Sequence, residues 1–293
     1  MKKKMTAKKI QLFILGGLIV FLMIAAIIAP IIASNDPYLV NMGNILKPPG
    51  GEYPLGTDDL GRCIFTRILY GAKTSIFSSL LVVLVVFVAG TLIGISSAFI
   101  GGVYESVVMR IITIFQAFPG FILAMAIAGM LGTGLRNGIL SLCLVYWTSY
   151  ARVARSLTLE MRGKDYIRSA QISGAGSFRI MVRHIFPNIT APLLVMAALD
   201  VGGVVLALAG LSFVGLSGQR PTAEWGLMMN DSRQYLQIAP WTVIFPGIAL
   251  LILVILFNLF ADTLRDVLDV KKINKSEMKR SLRWARKLRK QQA

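Results

Sequence analysis

The sequence predicts an all-α membrane protein with about six transmembrane helices. Hydrophobic residues fill 55% of its 293 positions and charged residues only 15%, whereas a soluble domain carries about 25% charged residues. Nearly uncharged stretches recur at about 10–32, 76–100, 107–131, 138–154, 189–216 and 241–261. Most reach the ~18 residues that a bilayer crossing needs, and 138–154 is the shortest. Mean hydropathy is +0.68. These stretches divide the chain into a basic amino terminus (1–9), a membrane domain (10–270) and a basic tail (271–293).

The first stretch opens on Lys2, Lys3, Lys4, Lys8 and Lys9. Its apolar part is longer than the ~7–15 residues of a secretory h-region, and no A-x-A site closes it, so it reads as a retained helix. With the amino terminus in the cytoplasm, six crossings return the carboxyl terminus there too. Of the 31 Lys and Arg, 24 then lie on the cytoplasmic side and 7 outside. That is the positive-inside bias, which is most informative in short loops. The net charge of +17 therefore reports topology, and no nucleic-acid partner is expected.

The first outer loop, 33–75, runs through SNDPY and KPPGGEYP, a turn-forming stretch, into LGTDDLGRCIFTRILYGAKTS. Thr57 followed by Asp58 and Asp59 has the pattern of a helix start, a hydroxyl cap before an acidic first turn. Leu60, Ile64 and Ile68 share one face beyond it, which predicts a short amphipathic helix at the outer surface. The plainer alternative is a linker. A second outer loop spans 217–240. Cys63 and Cys143 fall in a loop and a helix, too dispersed to pair, and read as packing residues.

Nucleotide and catalytic motifs are absent from the sequence. YGAKTS has Ala72 where a phosphate loop has its second glycine, and GAGSFR at 174–179 lacks a dinucleotide fingerprint. The single His184 has no acid or cysteine partner at a catalytic spacing, and no HExxH or GxSxG occurs. No enzymatic activity and no cofactor are expected in this chain.

The cytoplasmic loop 155–188 is the most informative segment. KDYIRSAQISGAGSFRIMVRHIFPN, at 164–188, places Tyr166, Ile167 and Ala170 on one helical face. Gly174, Ala175 and Gly176 interrupt the periodicity as a glycine C-cap would. Ser177 can cap a second helix carrying Phe178, Met181, Val182, Ile185 and Phe186, and Pro187 restricts its neighbour and begins the turn back to the membrane. The pattern is helix, glycine hinge, helix, with apolar knobs among cations. A solvated loop that only enforces topology would not need amphipathic periodicity on both sides of a corner. The pattern favours a docking element for a cytoplasmic partner.

At these residues the chain resembles the permeases of binding-protein-dependent ABC importers, in their dipeptide, oligopeptide and nickel branch. The branch's cytoplasmic loop runs roughly Y-x-x-A-A-x-x-x-G-A-S, then R-H-x-x-P-N. Tyr166, Ala170, Gly174, Ala175, Arg183, His184, Pro187 and Asn188 match it, while Ser169 and Gly176 replace Ala and Ser. LGTDDLGRCIFTR resembles L-G-T-D-x-x-G-R-D-x-x-S-R, with Cys63 for Asp and Thr66 for Ser. FQAFPGFILAM, LSFVGLSGQRPTAEWG and FNLFADTLRDVLD follow in the family's order.

The resemblance implies a type I ABC importer permease fold in a prokaryotic inner membrane, surrounded by lipid. It implies pairing with a second homologous permease and docking on two ABC ATPase subunits, which hold the ATP and magnesium. It also implies an extracytoplasmic substrate-binding protein. Tyr166, Ile167, Ala170, Gly174, Ala175, Phe178, Arg183, His184 and Pro187 would then couple the ATPases to the membrane helices. Among membrane residues, Asp200 in APLLVMAALDVGGVV is the outlier, since an ionisable group in a span is a functional candidate by default. It reads either as part of the substrate path or as a bundle-interface residue.

An acidic lining suits a cationic cargo, and PTAEWG with LGTGLRN resembles nickel-type members more than dipeptide ones. The expectation is nickel or a metal chelate, with peptide as the alternative. One histidine and two separated cysteines provide no soft ligand cluster for a bare ion, so specificity would sit in the binding protein. The rival class is an ATP-independent secondary transporter or channel. The sequence shows neither the inverted repeat nor the broken helix pair expected of one. The tail, with Trp284 and Leu288 among its cations, reads equally as an amphipathic surface helix or a solvated anchor.

Overall fold

The structure, a computed structural model, describes residues 2–33 and 35–268, with side chains from residue 7 onward apart from Ile32. The basic tail expected at 271–293 lies outside the described residues.

Lipid provides no hydrogen-bond partner for the backbone, so a chain this apolar must satisfy its own N–H and C=O groups within helices. The helices are α1 (Lys2–Ile27), α2 (Ala29–Ile32), α3 (Ile64–Ile100), α4 (Gly102–Gln116), α5 (Gly120–Leu131), α6 (Leu135–Arg162), α7 (Asp165–Ile172), α8 (Ser177–Ile180), α9 (Phe186–Phe213), α10 (Trp225–Ser232) and α11 (Trp241–Leu268). Among the described residues, four helical segments are long and apolar enough to cross a membrane: α1, α3, the run from α8 through α9, and α11. The bent pair α4–α5 makes a fifth. α6 is long enough as well, about 42 Å at 1.5 Å per residue. It is less apolar than the others, with Asn137, Ser141, Thr148 and Ser149 along it and Arg152, Arg155 and Arg162 in its second half.

The core forms where α3 packs along α6 and α9, with α11 against α9 and α1 against α3 and α11. Two glycines set the α3–α6 distance. A Cβ on Gly90 would lie 2.5 Å from the Trp147 carbonyl and the Tyr150 Cβ, and one on Gly94 would lie 2.4 Å from the Ala151 carbonyl. Backbone therefore meets backbone, the use of small residues expected where helices associate without a hydrophobic driving force.

Several expectations need correction. The first outer loop ends at residue 63, because α3 runs unbroken from Ile64; no separate amphipathic helix lies at 57–68. Thr57 is not a helix cap. Its hydroxyl accepts from the Lys47 N–H and donates to the Asn44 carbonyl, and it forms an isolated bridge with Cys63. Asp58 holds a tight turn instead, accepting from the N–H groups of Leu60 and Arg62. The stretch 107–131 is not one rod, since α4 and α5 meet at 89° across Ala117, Phe118 and Pro119. A broken helix pair is therefore present after all. Nor does the chain turn at Pro187. A π-helical turn at 181–185 leads from α8 directly into α9, with the Phe186 N–H bonding to the Met181 carbonyl.

The bundle has two polar ends. At the basic end, Lys8 pairs with Asp266, Arg155 Nε donates to Glu105 at 2.6 Å, and Arg162 donates to the Ala98 carbonyl. At the far end, loop 35–63 closes against 214–240. Gly94→Val should force α3 from α6 and destabilise the protein by roughly 1–3 kcal/mol, read as a lower melting temperature in detergent; Gly17→Val, with open space around its Cβ, should leave it unchanged.

Candidate functional site

Three regions collect polar chemistry in this apolar chain. The first is the far end, where three aspartates and three arginines interlock. Arg62 Nε lies 2.8 Å from Asp58 Oδ2, and Arg67 Nε lies 3.4 Å from the same oxygen. Arg220 reaches Asp59 at 2.8 Å and Asp231 at 3.0 Å. Arg67 also donates to the carbonyls of Pro37 and Thr222 at 2.9 and 3.4 Å. It is 1% exposed, so its carbonyl bonds matter: a buried guanidinium must place its donors. The fold buries both Arg62 and Arg67.

Beside this cluster, Glu224 is buried and caps α10. Its carboxylate accepts from the N–H groups of Gly226 and Leu227 at 2.9 and 2.8 Å. Burial pushes the Glu224 carboxyl above the usual range, and those N–H bonds and the Ser212 hydroxyl only partly offset this. Burial also raises Asp231, against the pull of Arg220.

The second region lies at the α4–α5 break. A cavity of about 290 Å³ opens there, walled by Phe115, Gln116 and Phe118 of the break, by Tyr146, Thr148 and Ser149 of α6, and by Met196 and Asp200 of α9. A wider cavity of about 690 Å³ adjoins it, sharing Met196 and Asp200 and continuing along Val195, Pro192 and Asn188 to Glu160 and Arg265 at the basic end. Asp200 thus stands on the wall shared by two spaces. Sequence reasoning singled out Asp200 but missed Gln116, Thr148 and Ser149, whose uncharged polar side chains carry no signal until the break is known.

The third region is the loop after α6. α7 ends in the hydrogen-bond pattern of a Schellman motif: the Gly174 N–H bonds to the Gln171 carbonyl and the Ala175 N–H to the Ala170 carbonyl, both at 3.0 Å. Gly174 has φ +80°, where only glycine is free of strain. Ser177 is not the cap of α8; that position is held by Gly176, without a side-chain bond. The expected gripping face divides in two. Ile167 is fully buried with Ile180 and Ile185 in the main core, and Ala175 packs against it. Tyr166, Arg183 and Pro187 are exposed, Ala170 and His184 half-buried, and Phe178 is 76% exposed. Ile172, 88% exposed, joins this outer set although no periodicity argument picked it out.

The chain is thus a multi-pass helical bundle with a gap at the α4–α5 break and a charge cluster closing one end. Residues 90–274 match the profile of a family described as the binding-protein-dependent transport system inner membrane component. The dipeptide transport system permease protein DppC of Alkalihalophilus pseudofirmus is 40% identical over 266 residues, 90% of this chain and 87% of that protein. The nickel transport system permease protein NikC of Escherichia coli K12 is 42% identical over 234 residues, 80% and 84% of the two chains. A solved structure of the MetNI methionine ABC transporter, in inward-facing conformations, has a chain with TM-score 0.50 and 21% identity. The match covers 66% of this chain and 94% of that one, a likeness of fold. The chain belongs to the binding-protein-dependent transport system inner membrane component family and is a permease subunit of an ABC importer.

The raised Glu224 predicts a pH dependence. The folded state keeps that proton to a higher pH than the unfolded chain, so stability from this group is lost as pH rises from about 4, the unperturbed glutamate value, through the raised folded one. Glu224→Gln should melt at the same temperature as wild type near the low limit and higher at about pH 8; thermal scans across that range giving a constant or inverted difference would contradict the assignment.

Proposed function

We propose that this permease, with a second homologous permease, forms the membrane pathway of an ATP-driven importer for a small cationic solute. The solute is nickel held in a chelate or, as the second reading, a short peptide. An external binding protein delivers it, and two cytoplasmic ATPase subunits bind the basic-end loop. Both termini lie in the cytoplasm, as the distribution of Lys and Arg supports. The observation that carries the cargo reading is Asp200 on the wall of a gap otherwise lined by uncharged groups. Among the described residues no three His, Cys, Asp or Glu side chains gather to hold a metal, so a chelated ion fits better than a bare one. Similar identity to a nickel and a dipeptide permease keeps the peptide reading alive.

The loop works as a lever in this reading. Exposed Tyr166, Ile172, Phe178 and Val182 form the grip, with Arg168, Arg179 and Arg183 around them. Ile167, Ile180 and Ile185 root that grip in the bundle, and the Schellman corner at Gly174 keeps the two short helices at a set angle. Movement of an ATPase would reach α9, and with it Asp200, through a continuous helical path.

Gly174→Asp should abolish ATP-driven uptake while leaving membrane insertion intact. Because a Cβ at Gly174 meets nothing within 4 Å, Gly174→Ala should show the backbone strain alone, about 1 kcal/mol, and a partial loss; wild-type uptake with Asp would refute the lever. The cargo is settled by radiolabelled nickel uptake in a deletion strain, with and without chelator and with a competing dipeptide. Chelator-stimulated nickel uptake is expected, and uptake of peptide alone would move the assignment to the second reading.

A further inference from the structure

The break in the α4–α5 crossing and the membrane carboxylate meet in one cavity. α4 stops at Gln116 and α5 starts at Gly120. A helix end leaves its last carbonyls without helical donors and is the negative pole of the helix dipole. At this end the Ile114 carbonyl accepts from the Ala117 N–H at 3.3 Å. The same lining holds Asp200, its sole charged side chain, with the hydroxyl-bearing Tyr146 and Ser149 and the aromatic Phe115 and Phe118. Gln116 donates to the Thr148 hydroxyl at 3.4 Å, which ties the broken end to α6.

Tyr150, 1% exposed on α6, brings its hydroxyl to the Asp200 carboxylate from outside the cavity lining. No lysine, arginine or histidine among the described residues pairs with Asp200. A carboxylate within a membrane crossing needs a partner, a water-filled space or a cation. Carbonyls at an unwound helix junction, joined by a carboxylate and aromatic faces, form a surface that attracts positive charge and repels anions.

We propose that the cavity at the α4–α5 break is a cation subsite inside the membrane. There the Asp200 carboxylate and the freed α4 carbonyls hold the positively charged group of the cargo, an ammonium or a chelated metal cation. Past Met196 the cargo enters the wider cavity that leads to the basic end. This assignment rests on the importer reading, which provides the cargo. Asp200 binds the cation, Tyr146 donates to ligand oxygens, and the Tyr150 hydroxyl bears on the carboxylate.

The test reads charge preference in the whole transporter, with Cys63→Ser and Cys143→Ala as background and Ser149→Cys as the reporter. Modification rates with trimethylammonium-ethyl and sulfonatoethyl methanethiosulfonate are each divided by the rate with a free thiol in solution. The cationic reagent should be favoured by about tenfold, the scale of one carboxylate acting across a partly wet gap. Asp200→Asn should bring that ratio near one, and Asp200→Glu should preserve it. Met196→Cys on the facing wall gives the same comparison if the Ser149→Cys variant fails to insert. Protection by nickel with its chelator, or by a dipeptide, identifies which cargo brings the charge. A ratio indifferent to Asp200→Asn, or protection by neither cargo while uptake is normal, overturns the subsite and leaves the importer reading standing. A ratio that collapses in Asp200→Asn without any ATP-driven wild-type uptake supports the subsite and removes the importer reading.

Discussion

The close approach of α3 and α6 at Gly90 and Gly94 is the constraint on which the rest of the fold depends. With two side chains reduced to hydrogen, the carbonyls of Trp147 and Ala151 sit against the α3 backbone, and dispersion contacts run along both helices. The same stretch of α6 that seats the glycines presents Tyr146, Thr148 and Ser149 on its other side, toward the α4–α5 break. Helical periodicity therefore ties the tightest packing in the bundle to its most open gap. Holding α6 in place against α3 holds one wall of that gap at a set distance from α9 and Asp200.

The two ends of the bundle solve the problem of polar groups in opposite ways. At the far end Asp58, Asp59, Arg62 and Arg67 are withdrawn from water and the charges are shared, so that the more exposed Arg220 serves two aspartates and Asp58 serves two arginines. Withdrawing one partner would strand a buried charge, which makes such a cluster rigid whatever its net contribution to stability. At the basic end Arg168, Arg179 and Arg183 stand in solvent, and the loop after α6 is fastened by a few buried isoleucines and one glycine corner. One end is thus a shared charge cluster and the other an exposed arm rooted in the core.

Much of this was legible because the bilayer restricts the possibilities. Six helical stretches, the alternation of basic loops, the glycine corner at Gly174 and the isolated carboxylate at Asp200 follow from local composition and period. The errors lie where local pattern competes with tertiary contact. Thr57, Asp58 and Asp59 have the residue types of a helix start, yet the Asp58 carboxylate turns back on the N–H groups of Leu60 and Arg62, and the helix begins at Ile64. FQAFPGF reads as continuous apolar helix apart from its proline, and only the fold reveals an 89° corner. Ile167 and Tyr166 are neighbours in the grip motif, but one faces the core and the other solvent.

From its amino acids alone this protein is determined to be a membrane-embedded helical bundle with a charged, glycine-cornered arm, because hydrophobic length and helix capping are local properties. Its membership in a family of importer permeases is likewise carried by motifs spread through the chain. The pairing of Arg220 with Asp59 across 161 residues, the inward turn of Ile167, and the meeting of a helix break with Asp200 were decided only by tertiary structure. Each joins residues far apart in sequence or on different helices. No residue's own preference encodes such a contact; it exists only once the helices have packed.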